Sequence, residues 1–323
     1  MVQYRNELPQ LSGDLFLTDG GLETTLIFHD GLELPNLAAF DALKHEAGRD
    51  ALLEYFCTYA SIARKQKVGF ILESPTWRAS QDWGDRLGYS SEGLAEVNRD
   101  AIELLSDVRK EFENGKNRIV ISGCIGPRGD GYNPTSRMTE DEAERYHATQ
   151  IGTLSETDAD MIAALTMNYV EEAIGVSRAA KSAGIPVVIS FTVETDGRLP
   201  SGHTLKHAIE TIDEATDSTP AYYMINCAHP THFMDALDAD GPWSRRIHGV
   251  RANASSKSHA ELDEAEQLDD GNPTELATQC SELRLRLSNL NVFGGCCGTD
   301  HRHVEEICKT RQASDRHPSL SNR

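Results

Sequence analysis

The chain has 323 residues, 39% hydrophobic and 25% charged, enough for one barrel-sized domain or two smaller ones. A net charge of −20 sets aside a nucleic-acid phosphate groove or an anionic membrane surface as the principal partner. The opening MVQYRNELPQLSGDLFLTDGG has no basic segment before an apolar run, and no stretch approaches the roughly 18 apolar residues of a membrane helix. A cytoplasmic protein that does not engage membranes is therefore expected.

In chain order, apolar runs ending in small or polar residues recur: LFLTDGG from 15, VGFILES from 68, RIVISGCIG from 118 and DMIAALTM from 160. PVVISFTVE from 186, AYYMINCAH from 221, IHGVRANAS from 247 and LNVFGGCCG from 290 complete the set. Such near-continuous apolar runs are the mark of parallel strands buried on both faces, which deliver functional groups where they stop. Helical patterns lie between them. Residues 139–156 carry a stripe of Ala143, Tyr146, His147, Ile151 and Leu154 behind an acidic first turn, and 170–184 end at Gly184 before Pro186. Residues 256–279 are strongly acidic and read as an exposed loop leading into the last helix before the final strand.

This alternation predicts an α/β fold, a single (β/α)8 TIM barrel over residues 1–310, followed by a polar tail at 311–323. A doubly wound sheet fits less well, because no GxGxxG follows the first strand and TDGGLETTL lacks the phosphate-loop lysine.

Seven cysteines stand at 57, 124, 227, 280, 296, 297 and 308, an odd and scattered set that in a reducing compartment suggests metal ligands plus buried thiols. In a barrel, Cys227 ends strand six and Cys296 with Cys297 ends strand eight, all on the face where active sites form. Three thiolates around zinc leave a fourth position open, and Gly294 and Gly295 would let the backbone turn so that both neighbours converge. The competing reading is three ordinary buried thiols, the reading adopted for Cys57, Cys124, Cys280 and Cys308.

The segments TDGGLETTL, GCIGPRGD, INCAHP and GGCCGTDHRH make the chain resemble the homocysteine S-methyltransferase family from about residue 14 to about 308. The resemblance implies a (β/α)8 barrel with Zn2+ held by Cys227, Cys296 and Cys297, and it places Asp19 at the amino group of the amino-acid acceptor. Gly20 and Gly21 allow close backbone approach, and Glu23 is a substrate contact or a helix-start residue. Two departures stand out. Leu165 occupies the strand-four position where the family has a glutamate for the acceptor's amine, and Pro75, Trp77 and Arg78 replace the usual pattern after strand two. Trp77 is a candidate face for a cationic donor, or core. Glu73 and Glu194 are alternative amine anchors, and Arg78 or Arg198 a carboxylate contact. Asn226 and Asn253 are candidate hydrogen-bond partners for ligand sulfur or substrate. His229, His301 and His303 are read as second-layer or surface residues.

Zinc deprotonates a bound thiol, so a homocysteine thiolate can take a methyl group from a sulfonium or quaternary ammonium donor whose leaving group departs neutral. The expected partners are a small-molecule thiol acceptor and a methyl donor of the S-methylmethionine, betaine or S-adenosylmethionine type. A homo-oligomer is left open, and a single barrel leaves no room for a cobalamin domain. Leu165 keeps two alternatives in play: the same chemistry on another thiol or selenol, or a zinc- or thiol-binding protein without catalysis.

Overall fold

The computed structural model describes residues 2–237, 241–264 and 267–316. Eight parallel strands form a closed barrel: β1 (Phe16–Leu17), β2 (Gly69–Glu73), β3 (Ile119–Ile125), β4 (Met161–Met167), β5 (Val187–Phe191), β6 (Tyr222–Asn226), β7 (Ile247–Ala252) and β8 (Val292–Gly295). Each strand lies inside one of the predicted runs, and β8 closes on β1 through Phe16–Val292 and Leu17–Phe293. The single (β/α)8 barrel is therefore the architecture.

Alternation along the strands sorts the core into two layers. Phe70 and Leu72 of β2, Ile119 and Ile121 of β3, and Ile162 and Ala164 of β4 face outward into the main cluster beneath the helices. Phe16, Ile71, Val120, Met161, Val188, Tyr222, Met224 and Val292 fill the barrel's interior. Leu8 joins that inner layer, and Gln10 is fully buried with its Nε2 3.3 Å from Tyr222 Oη. The N-terminal segment thus plugs the barrel floor, a role that its sequence did not announce.

The long helices start and stop on local chemistry. Thr139 and Glu142 make a reciprocal capping box at the head of the Glu140–Ser155 helix, and Gly184 takes a left-handed conformation after Val170–Ala183. After β6 the helix is reduced to Pro230–Phe233. The acidic segment forms a short helix, His259–Asp263, ahead of Pro273–Arg286. The last helix runs His301–Arg316, so residues 311–316 of the expected polar tail are helical; 317–323 lie outside the described residues. Among the described residues no helix is long and apolar enough to cross a membrane.

Candidate active site

Continuing the same alternation past Ile71 places Glu73 at the inner, C-terminal end of β2. By the same count Cys124 and Leu165 are inner residues near the C-terminal ends of β3 and β4, Asn226 ends β6 and Arg251 is next to last in β7. All five line one cavity of ≈ 200 Å³, together with Asp19, Gly20, Gly21, Glu23, Trp77, Arg78, Cys227, Cys296 and Cys297. The volume suits an amino-acid-sized ligand better than a drug-sized one.

The three cysteines predicted as ligands meet here. Their sulfurs all lie within 4.8 Å of one another, with Cys227 Sγ 3.1 Å from Cys296 Sγ and 3.4 Å from Cys297 Sγ. Those separations exceed a disulfide bond of about 2.0 Å and approach the roughly 3.8 Å edge of a tetrahedron built on zinc–sulfur bonds. Cys227 is buried, Cys296 partly exposed and Cys297 exposed, so the trio is closed on the protein side and open on the other. Donor type, spacing and the open side fit a three-thiolate metal site. Hydrogen bonding with Cys227 and Cys297 holds the Cys296 thiol well below its ordinary pKa, and Arg251 adds to the pull.

Backbone geometry aims the sulfurs. Cys227 has a φ of +57°, its N–H donates to Arg251 O at 3.1 Å, and its carbonyl accepts from His259 Nε2 at 2.7 Å. Tyr132 lies against His259, its ring tilted by 39° with centroids 4.1 Å apart, and brings its Oη to 2.9 Å from Cys227 Sγ. Cys296 N–H donates to Ala252 O at 2.8 Å. The expected role of Gly294 and Gly295 needs correction: both have ordinary strand conformations, and the left-handed residue of the loop is Gly298, at φ +78°. A side chain at 294 would instead collide with the Thr18 hydroxyl, and one at 295 with that of Thr299. Gly21 is bare for a related reason, since a Cβ there would sit 2.6 Å from Cys296 O.

Beside the sulfurs is a buried charge cluster. Asp19 Oδ1 accepts from Arg251 Nη2 at 2.5 Å, and Asp19 Oδ2 lies 3.1 Å from Tyr55 Oη. Burial pushes the Asp19 carboxyl up against the pull of Arg251 and Tyr55. Against the desolvation of its own burial, Asp19 and then Glu73 hold Arg251 above its ordinary value. Burial pushes Glu73 up to about 7, with Arg251 opposing, and Glu23 also to about 7. Glu23 both stands in the first turn of the short Leu22–Thr24 helix and lines the cavity, so its two readings are compatible.

Asn226 is committed to structure, accepting from Thr166 N at 2.9 Å and Ser190 Oγ at 2.6 Å and donating to Thr166 Oγ1. These bonds pin a register shift in β4, where Thr166 has a φ of +64°. Leu165, one residue earlier, stands in the cavity wall with its carbonyl accepting from Trp77 Nε1 at 3.2 Å. Arg78 is sandwiched between Trp77 and Trp83, its guanidinium 4.0 Å and 3.7 Å from the ring centroids.

Other candidates fall elsewhere. Glu194 is outside the cavity lining and faces His259 Nδ1 at 3.6 Å, and Arg198 is exposed and donates to Gly202 O. Asn253 is buried but does not line the cavity. His229 caps the short helix after β6, His301 is exposed, and His303 is buried between Asp300 and the Asp270 carbonyl. The site residues missed from sequence are Arg251, Tyr132, Tyr55 and His259. Period-two counting along β7 from its glycine was the one signal for Arg251, and the other three sit on a loop and two helices with no local mark.

The profile of the homocysteine S-methyltransferase family matches residues 16–311. Homocysteine S-methyltransferase YbgG of Bacillus subtilis (strain 168) is 26% identical over 244 residues, 68% of this chain and 74% of YbgG. The crystal structure of the homocysteine methyltransferase MmuM from Escherichia coli in its oxidized form superposes with a TM-score of 0.76 at 16% identity, covering 96% of this chain and 100% of MmuM. The metallated form gives 0.73 at 14% identity, covering 92% and 96%. At such identities the crystal structures speak for the barrel alone. With the profile spanning the barrel from β1 to the last helix, the chain is a methyltransferase belonging to the homocysteine S-methyltransferase family.

Proposed function

We propose that the protein moves a methyl group from a small onium donor to homocysteine, giving methionine, with Zn2+ held by Cys227, Cys296 and Cys297. The observation that carries this reading is the convergence of three unbridged sulfurs, open on one side, in a cavity with acidic, basic and aromatic walls. The bound ion supplies a thiol pKa low enough for the acceptor to be a thiolate at neutral pH.

The chain's own residues bind and orient. Glu73 and Arg78 offer charges to the ammonium and carboxylate of an amino acid, with Asp19 beside them held by Arg251. The half-buried Trp77 offers a ring face to the methyl groups of a cationic donor. The acceptor sulfur attacks the methyl carbon in line; a C–S bond forms as the donor's C–S or C–N bond breaks, and the electron pair leaves on the donor atom. The departing sulfide or amine is neutral, so no protein acid is needed, and the work is positioning and exclusion of water.

Leu165 favours a second reading, in which the acceptor is another small thiol or a selenol, because its own side chain offers no acceptor for an amine. One experiment separates them. Metal-loaded protein is incubated with homocysteine, other small thiols or selenols, and a panel of S-methylmethionine, betaine and S-adenosylmethionine, and methylated products are identified by mass spectrometry. Methionine with one donor supports the first reading; its absence with every donor, at full metal occupancy, removes it, and a methylated product from another thiol or a selenol alone establishes the second.

A further inference from the structure

We propose that Glu73, at the end of β2, anchors the α-ammonium group of the amino-acid acceptor, taking the work from the β4 position that Leu165 occupies. The inference rests on the homocysteine reading above and names the residue that selects the acceptor's amine.

Glu73 is 4% exposed, yet neither of its carboxylate oxygens has a hydrogen-bond partner. Its register neighbour Ser122 lies close enough to favour the carboxylate form but outside hydrogen-bond geometry, and the Ser122 hydroxyl is itself unpartnered. Arg251 Nη1 is 3.9 Å from Glu73 Oε1, too far for a hydrogen bond, and also lacks a partner. Buried polar atoms are almost always satisfied, so this concentration of unmet bonding capacity on a cavity wall points to a ligand that supplies donors.

Charge says which kind. Asp19 is already neutralised by Arg251 and holds Tyr55 with its second oxygen. Glu73 has no hydrogen-bonded countercharge, since Arg251 stands 3.9 Å away, and an ammonium brings one positive charge with three donors. Leu165 cannot compete: its side chain has no acceptor, and its carbonyl is engaged by Trp77.

The test compares L-homocysteine with 4-mercaptobutanoate, which keeps the thiol and the carboxylate and lacks the amine. Binding of each to metal-loaded protein is measured by titration calorimetry in wild type, Glu73→Gln and Glu73→Gln/Leu165→Glu, with metal content determined for all three. Wild type should prefer homocysteine by about 10- to 100-fold, the range of a hydrogen bond to a charged group. Glu73→Gln should bring the preference to within about threefold, and Leu165→Glu in that background should restore part of it. A full preference retained by Glu73→Gln, or no preference in wild type, overturns the anchor while leaving the thiol chemistry standing. Binding of neither thiol overturns the homocysteine reading itself. Should Glu73→Gln fail to fold, Glu73→Asp, with the charge withdrawn by one methylene, carries the same comparison with a smaller expected loss.

Discussion

Replacing Glu73 with glutamine should change how stability depends on pH, independently of any substrate. Burial raises the Glu73 carboxyl from 4.5 to about 7, with the pull of Arg251 already included. The folded protein therefore prefers the protonated acid. This contribution is complete below pH 4.5, is lost as pH rises toward 7, and is absent above it. At about 1.4 kcal/mol per pH unit, ionising Glu73 costs the fold about 3 kcal/mol by pH 8. Glutamine keeps the shape and carries no charge. The stability of Glu73→Gln relative to wild type should thus grow by about 3 kcal/mol between pH 4.5 and 8. Urea unfolding of the metal-free proteins, followed by tryptophan fluorescence at a series of pH values, measures that difference and cancels every other titrating group the two share. Parallel curves across the window would refute the argument, because they would mean that Glu73 is as well solvated in the fold as in the unfolded chain.

Three further outcomes are expected. Cys297→Ser and Cys227→Ser should each lose most bound metal, measured as ions per chain after dialysis, since a serine hydroxyl is a poor substitute for a thiolate; full occupancy in both would remove the metal site. Trp77→Leu should raise KM for the onium donor by about 2- to 30-fold, the range of a cation–π contact, with KM for the thiol nearly unchanged. An equal rise in both constants would mean that Trp77 acts through Arg78 or the β4 carbonyl instead. Gly21→Ala forces a Cβ against Cys296 O and should cost about 1–3 kcal/mol while weakening metal binding. An unaltered Tm together with unaltered metal affinity would show that the cysteine loop yields freely.

The barrel was legible because its strands are buried on both faces, so VGFILES or PVVISFTVE reads as one apolar word with a polar end. The meeting of the three cysteines was legible for a topological reason: parallel strands put the ends of β6 and β8 on one face whatever their separation in sequence. What stayed hidden depends on partners far apart. Arg251 stands in the middle of IHGVRANAS with nothing to set it apart, and nothing near it names Asp19, 232 residues away. The irregularity at Thr166 has no local residue that demands it, since a threonine at φ +64° is sustained by Asn226 from another strand. Glu194 carried the right chemistry at the right strand end, but its chain turns outward to His259. A strand-end carboxylate marks a height on the barrel, while its direction is decided by neighbours that sequence does not reveal.

The join between β8 and β1 is only two residue pairs long, whereas β6–β7 and β7–β8 each hold four. Cys296 and Cys297 follow directly on that last strand, and Cys227 reaches them across β7. An ion gripped by the trio would thus be a clasp that ties the final stave to one two places away, next to one of the two seams that are only two pairs long. Because such an ion binds the closed ring in preference to an opened one, its binding free energy is added to closure. Amide exchange at Phe293 and Gly295 should slow on metal loading more than exchange in β3 or β4, on the far side of the ring. With an ion bound, the pair of adjacent cysteines would serve cooperage as well as chemistry.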